Sequence, residues 1–403
     1  MWRQPFVTAA LAPAISLGAV TLLGTNGIIG QKGCPLLMLW TTSSTRRLTR
    51  LGFAVSNWRK PMEQVVTVGL DIAKNIFHAH GVSQDGKVIF SRKLRRAKLE
   101  AFFSTLEPCL IGIEACSTSH HWARVFTAMG HTVKLIPPAY VKPYVKSQKN
   151  DAADAEAICE AVTRPTMRFA EVKSIAQQSV LGLHRVRAQL VSHRTRIGNT
   201  IRGHLAEFGI VAPVGREGLY RLIGIIEDSA DTSITDLTRV SLRHLADQYR
   251  LLQAQVLDLD RQIMKAHRAN ALSQRLATIP GIGPLAASAL AASIGDASAF
   301  KSGRSLAAFL GLVPRQSSSG GKERLGRISK RGDGYLRWLL VAGAMAVMRY
   351  ARRHGTSRPW LVQLLARRPA KTAIVALANK MARVAWALMT SGETYREPSL
   401  KAA

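Results

Sequence analysis

The order of short apolar runs between residues 65 and 162 is the strongest constraint on the fold. Val65 to Asp71 is an apolar run that closes on an acid and reads as a buried strand. Ile76 to Val82 reads as a second strand, Asp85-Gly86 as a hairpin turn, and Lys87 to Leu94 as a third strand. Ala97 to Leu106 fits a helix, Cys109 to Glu114 a fourth strand, and His121 to Met129 a second helix. Thr132 to Ile136 gives a fifth strand and Asp151 to Val162 a third helix.

The resulting order, β-β-β-α-β-α-β-α, is that of a ribonuclease-H-like α/β domain. In it, Asp71 ends the first strand and Glu114 ends the fourth. Asp151 and Asp154, three residues apart, share one face of the last helix. Four crowded carboxylates repel unless cations are present. Two Mg²⁺ ions roughly 4 Å apart would offset that repulsion, activate an oxygen nucleophile and stabilise a leaving oxygen. A helix N-terminus alone accounts for Asp151 and Asp154 through its dipole. It does not account for Asp71 and Glu114.

Residues 170–270 change character. Leu183, Leu190 and Ile197 recur every seven residues, and Leu245, Tyr249, Leu252, Val256, Leu259 and Ile263 keep an unbroken heptad pattern. Two long helices joined by the stretch 209–236 follow. They form either a hairpin within the chain or a coiled coil between subunits. Residues 275–395 read as a third, mostly helical unit. Ile279-Pro280-Gly281-Ile282-Gly283 and the apolar run after it resemble a helix-hairpin-helix element. Gly281 and Gly283 would let backbone N–H groups approach a phosphate, or would simply make a tight turn. Arg337, Arg349, Lys380 and Arg383 interrupt the late apolar helices, which favours core over membrane.

The charge balance narrows the partners. Net charge is +31, from 56 Lys and Arg against 25 Asp and Glu, which calls for a polyanion. Nucleic acid fits best, with phospholipid and ribosomal RNA as plainer alternatives. A hydrophobic share of 47% excludes wholesale disorder. The run from Arg315 to Arg337 holds seven basic residues (Arg315, Lys322, Arg324, Arg327, Lys330, Arg331 and Arg337) against two acids, around the segment PRQSSSGG, Pro314 to Gly321. A serine among arginines suits attack on a phosphate. The plainer reading is a flexible linker beside a DNA-backbone contact. No Ser-His-Asp arrangement is legible, which argues against acyl chemistry.

Cys34, Cys109, Cys116 and Cys159 lack metal-ligand spacing; Cys109 and Cys116, flanking a strand, read as small core residues, which fits a reducing cytoplasm. The first 62 residues hold no acid. Residues 1–61 read as a signal sequence, a weak membrane span, or an extension upstream of a true start at Met62. The third reading is favoured because the first strand begins just beyond Met62.

Taken in order, V-G-L-D-I-A-K, I-G-I-E-A, N-D-A-A-D-A, I-P-G-I-G, F-L-G-L-V-P-R-Q-S-S-S-G-G and K-R-G-D-G-Y-L-R resemble the DEDD-type transposases of the insertion-sequence one-hundred-and-ten family, the bridge-RNA-guided recombinases. The resemblance covers about residues 63–395. It implies a RuvC-like domain over 62–168, a coiled-coil linker over 169–270, a C-terminal transposase domain over 271–395 and a tail over 396–403. It implies that Asp71, Glu114, Asp151 and Asp154 bind metal and that Ser319 is the nucleophile in a composite centre. Arg315, Lys322, Arg324, Arg327, Lys330 and Arg331 are expected on nucleic acid. DNA, a noncoding guide RNA and further copies of the chain are the implied partners, without a membrane. The 1–61 extension and Asp333 depart from the pattern. A water-using RuvC-like nuclease and a non-catalytic nucleic-acid-binding protein are the rival readings.

Overall fold

Five strands form one sheet: β1 (Thr67–Asp71), β2 (Ile76–Val82), β3 (Val88–Arg95), β4 (Leu110–Glu114) and β5 (Thr132–Ile136). Their spatial order is β3-β2-β1-β4-β5. β2 runs antiparallel to its neighbours β1 and β3, while β1, β4 and β5 are parallel. This is a computed structural model, and it describes residues 64–146, 150–355 and 359–397. The 1–61 extension, the start at Met62, Cys34 and most of the 396–403 tail lie outside the described residues.

Period-two alternation assigns each strand residue to a face. Val68, Leu70, Phe77, Ile111, Ile113 and Leu135 join Leu99, Phe103, Trp122 and Phe126 in one core. Those partners come from α1 (Leu99–Phe103) and α2 (Ser119–Ala128). Burying each such side chain contributes roughly 1.5–3 kcal/mol. The opposite face carries Gly69, Asp71, Gly112 and Glu114, and α4 (Asp151–Val162) lies across it. The short α3 (Pro138–Val141) closes that side through Val141, which packs with Ile136, Ile158 and Val162.

Beyond the sheet, α5 (Ile175–Ala206) and α7 (Asp236–Arg268) run 32 and 33 residues. Arg187 pairs with Asp260 and Arg194 donates to Gln253, so the two helices are antiparallel. A third helix, α6 (Arg216–Glu227), occupies the stretch expected to be a connector. Leu219, Leu222, Ile223 and Ile226 of α6 fill one core with Ile197, Ile201, Leu242, Tyr249 and Leu252. The heptad side chains Tyr249, Leu252, Val256 and Ile263 are therefore buried within the chain itself. The hairpin alternative describes these four side chains, while Leu245 and Leu259 of the same heptad pattern are only partly buried.

The C-terminal helices are α8 (Ala271–Leu276), α9 (Pro284–Ser293), α10 (Gly303–Phe309), α11 (Gly334–His354), α12 (Pro359–Arg367) and α13 (Ala370–Ser391). Among the described residues, α13 alone is long and apolar enough to cross a membrane. Its Leu377, Ala378, Met381, Ala382 and Ala385 pack into a core with α9, α10 and α11. Between α10 and α11 the chain forms an unanticipated two-stranded antiparallel hairpin, β6 (Pro314–Gln316) and β7 (Leu325–Ile328).

Candidate functional site

Two glycines explain how the four acids meet. Gly69 and Gly112 are cross-strand partners on β1 and β4. A Cβ on Gly69 would lie 2.1 Å from the Ala155 carbonyl oxygen and 2.4 Å from the Cys159 nitrogen. A Cβ on Gly112 would lie 2.8 Å from Val162 Cβ. The missing side chains therefore let the α4 backbone rest directly on the sheet. Two residues on, alternation returns Asp71 and Glu114 to that same face. The N-terminus of α4 arrives above them, capped by the Asn150 side chain, which accepts from the Ala153 N–H at 2.9 Å. Asp151 and Asp154 lie in this first turn. The role of Gly69 and Gly112 is not apparent from their motifs, because it depends on where α4 crosses.

Burial pushes the Asp71 carboxyl up to about 6, aided by repulsion from Asp154, Asp151 and Glu114 in that order. Asp71 thus senses the charges of the other three acids. Among the described residues, no three His, Cys, Asp or Glu side chains converge tightly enough to hold a metal ion as they stand. The donor chemistry, four hard oxygen ligands in mutual repulsion, nevertheless suits a divalent cation.

Neighbouring groups were missed by the motif reading. His78 faces Asp71 across β1 and β2, and its pKa is lowered by burial and then by Lys93. Its Nε2 meets Ser91 Oγ at 3.0 Å, and its buried Nδ1 has no hydrogen-bond partner among the described residues. Thr118, in the loop after Glu114, holds φ at 72°, a strained conformation for a β-branched residue. Cys116 in this loop is exposed, unlike the buried Cys109 and Cys159, which corrects the expectation that it is a core residue. The loop leaves the sheet after Glu114; Ala115 still packs on the core, and Cys116, Ser117 and Thr118 are exposed.

The serine segment is an ordered hairpin rather than a flexible linker. Gly320 and Gly321 take φ of 55° and 73°, and the Lys322 N–H donates to the Ser319 carbonyl at 3.1 Å. Two successive positive φ values make a tight turn that matches strand twist. The Ser318 hydroxyl accepts from the Arg324 N–H and from Gln316 Nε2, both at 3.2 Å. The Ser319 hydroxyl makes no hydrogen bond among the described residues. The hairpin base is anchored firmly. The Ser329 N–H donates to Val313 O at 2.8 Å, and Arg337 donates to the carbonyls of Leu310 and Arg331, each at 3.0 Å. Asp333, the acid that departs from the pattern, caps α11 by accepting from the Tyr335 and Leu336 N–H groups.

Arg315, Ser317, Arg324, Arg327 and Lys330 line a cavity of about 540 Å³ on this hairpin. Ser319 sits beyond it at the tip, and Lys322 and Arg331 are also outside the lining. None of the four carboxylates lines the cavity, and no hairpin residue is among the charges that shift Asp71.

The two expected phosphate glycines separate. A Cβ on Gly281 would lie 2.9 Å from Met381 Cε and Val347 Cγ2 and 3.1 Å from Gly343 O. Packing against α11 and α13 thus leaves Gly281 no room for a side chain. Gly283 caps α9 with open space around it and remains available to an anion.

Two family models match the chain: the transposase domain described as DEDD_Tnp_IS110 over residues 68–210, and the IS116/IS110/IS902 family transposase over residues 273–358. The chain is 50% identical over 333 residues to the "Probable family 20 transposase" of Pseudomonas aeruginosa, covering 82% of this chain and 98% of that protein. It is 41% identical to the transposase for insertion sequence element IS1111A of Coxiella burnetii, over 84% of this chain and 93% of that protein. A more distant relative is the pilin gene-inverting protein of Moraxella bovis, 25% identical over 63% of this chain and 73% of that protein. The carboxylate face lies within the first matched segment and the serine hairpin within the second. The chain belongs to the IS116/IS110/IS902 family of transposases, enzymes that cleave and rejoin DNA.

Proposed function

We propose that the chain mobilises an insertion sequence by serine attack on DNA phosphodiesters, guided by an RNA from the element and working in the cytoplasm as a homo-oligomer. The observation that carries this reading is the anchored hairpin. It presents Ser319 at a two-glycine tip, beside a cavity lined by four cations and no acid. In this reading residues 62–168 are a RuvC-like domain, 169–270 a helical linker, and 271–395 the serine-bearing domain.

The Ser319 oxygen forms a bond to phosphorus as the bond from phosphorus to the leaving deoxyribose oxygen breaks. The leaving oxygen takes a proton. A DNA hydroxyl then displaces the serine, so the phosphodiester is conserved. Arg315, Arg324, Arg327 and Lys330 neutralise charge that builds on the phosphoryl oxygens. Asp71, Glu114, Asp151 and Asp154 would hold Mg²⁺, most simply as two ions. When bound, such ions lower the pKa of an attacking hydroxyl and stabilise the leaving oxygen. Because the hairpin cavity contains no carboxylate, the two halves have to be brought together. A second copy of the chain supplies the missing half. The gene inversion named for the Moraxella relative is also a cut-and-rejoin process.

The test uses an element-end DNA with its flanking RNA. Asp71→Asn, Asp154→Asn and Ser319→Ala should each abolish strand exchange and keep salt-sensitive DNA binding. Exchange in excess chelator rejects the metal role. Cleavage by Ser319→Ala favours the nuclease that uses water.

A further inference from the structure

From Gly334 to Gly392 the chain contains no Asp or Glu, while ten Lys and Arg fall in those 59 residues. The solvent side of α11 concentrates this character. Trp338 is 56% exposed, and Met345, Arg349 and Arg352 recur at spacings of seven, four and three, which places them on one helical face. That stripe runs about 21 Å, at 1.5 Å per residue. The indole is held in place. Tyr335 stacks on it with ring centroids 6.1 Å apart and planes 21° apart. The Tyr335 hydroxyl is fixed in turn by His184 Nδ1 of α5 at 3.1 Å, and His184 Nε2 meets Ser288 Oγ of α9 at 3.1 Å. Arg337, the residue beside Trp338, ties the same turn of α11 to the hairpin base. Oriented indole, adjoining arginines and absent acids together match an unpaired nucleobase with its phosphates. Apolar docking of a protein partner suits this face less well, because Arg349 and Arg352 would be buried without counter-charges.

We infer that the outer face of α11 binds a single-stranded nucleic-acid segment, with Trp338 stacking on an unpaired base and Arg349 and Arg352 holding the backbone. This rests on the nucleic-acid reading above, but its test is binding and needs no strand chemistry. The full-length protein is titrated with a short single-stranded DNA, the same sequence as RNA, and the DNA duplex. Trp338→Ala should weaken single-strand binding about tenfold and leave duplex binding within about twofold. Trp338→Phe, which keeps a ring, should stay within about threefold of wild type. Arg349→Ala with Arg352→Ala should reduce the salt dependence of single-strand binding, and Trp338→Ala should not. Thermal unfolding of each variant excludes collapse of the fold. A larger loss on RNA identifies the guide as the occupant, and a larger loss on DNA identifies opened target strands. Either result supports stacking. Unchanged single-strand affinity in Trp338→Ala, equal losses on duplex and single strand, or a Trp338→Phe variant as weak as Trp338→Ala overturns the inference. So does a fall in oligomer mass on Trp338→Ala with single-strand affinity intact.

Discussion

Gly69→Ala tests whether close approach of α4 sets the carboxylate geometry. The added methyl would stand 2.1 Å from the Ala155 carbonyl oxygen and 2.4 Å from the Cys159 nitrogen, both backbone atoms. Side chains can rotate away from such a contact, but a helix backbone cannot. To restore an ordinary separation, α4 has to rise from the sheet by about 1 Å. Overpacking of this kind costs about 1–3 kcal/mol, and the rigid obstacle puts Gly69 at the upper end. The functional loss is larger, because α4 carries Asp151 and Asp154, and a 1 Å misplacement at a reacting centre can cost about a hundredfold. Gly112→Ala meets Val162 and Ile158 side chains and should lose less of both. Gly224→Ala, in the middle of α6 with open space around it, should be neutral or stabilising by up to about 1 kcal/mol. Urea unfolding gives the stability of each variant, and strand exchange on element-end DNA gives its activity. If Gly69→Ala retains wild-type stability and exchange, the helix is not set by that contact and the reasoning fails.

Other perturbations separate the remaining parts of the account. The Asp71 carboxyl, raised from 3.8 to about 6, makes the folded chain hold a proton that the unfolded chain has released. The contribution of Asp71 to metal-free stability is thus highest below about pH 4 and falls as pH rises to about 6. The stability difference between wild type and Asp71→Asn should follow that course, and Mg²⁺ at pH 7 should recover stability only in wild type. The comparison has to be a difference, because half-buried His120 and buried His184, each lowered to about 4, act in the opposite sense as pH falls through 6.5. Leu252→Ala should cost about 2–5 kcal/mol in unfolding experiments and leave the solution mass unchanged, since Leu252 is buried within one chain. Loss of oligomer mass without loss of stability would restore the inter-subunit reading. Ser318→Ala removes the acceptor of two hydrogen bonds and should loosen the hairpin by about 1 kcal/mol, read by hydrogen exchange at Arg324, while strand exchange persists.

How far these features can be read from sequence follows from their physical origin. The strands Ile76–Val82 and Thr132–Ile136 and the helix Asp151–Val162 stand at their expected bounds. Burial periodicity and the Asn150 cap are local signals. The α6 helix is amphipathic, but Gly209, Pro213 and Gly215 before it and the polar stretch from Asp228 to Thr235 after it imitate a connector. The β6–β7 hairpin is exposed on both strands, so it has no apolar alternation to betray it. Its one legible signal was Gly320-Gly321, a hairpin-turn pair. Gly69, Gly112 and Gly281 acquire meaning only from helices that reach them from far along the chain. The acids were readable because strand ends and a helix start announce themselves. That none of them lines the hairpin cavity is a tertiary fact with no local trace.

The central claim is that Ser319 forms the covalent link to DNA. Wild-type protein is incubated with Mg²⁺, flanking RNA and an element-end DNA that traps the intermediate, and the product is digested and mapped by mass spectrometry. The account predicts a protease-sensitive retarded band and a nucleotide on Ser319, lost in Ser319→Ala and retained in Ser318→Ala. A nucleotide on Ser317, the serine that lines the cavity, or cleavage without any covalent product contradicts it.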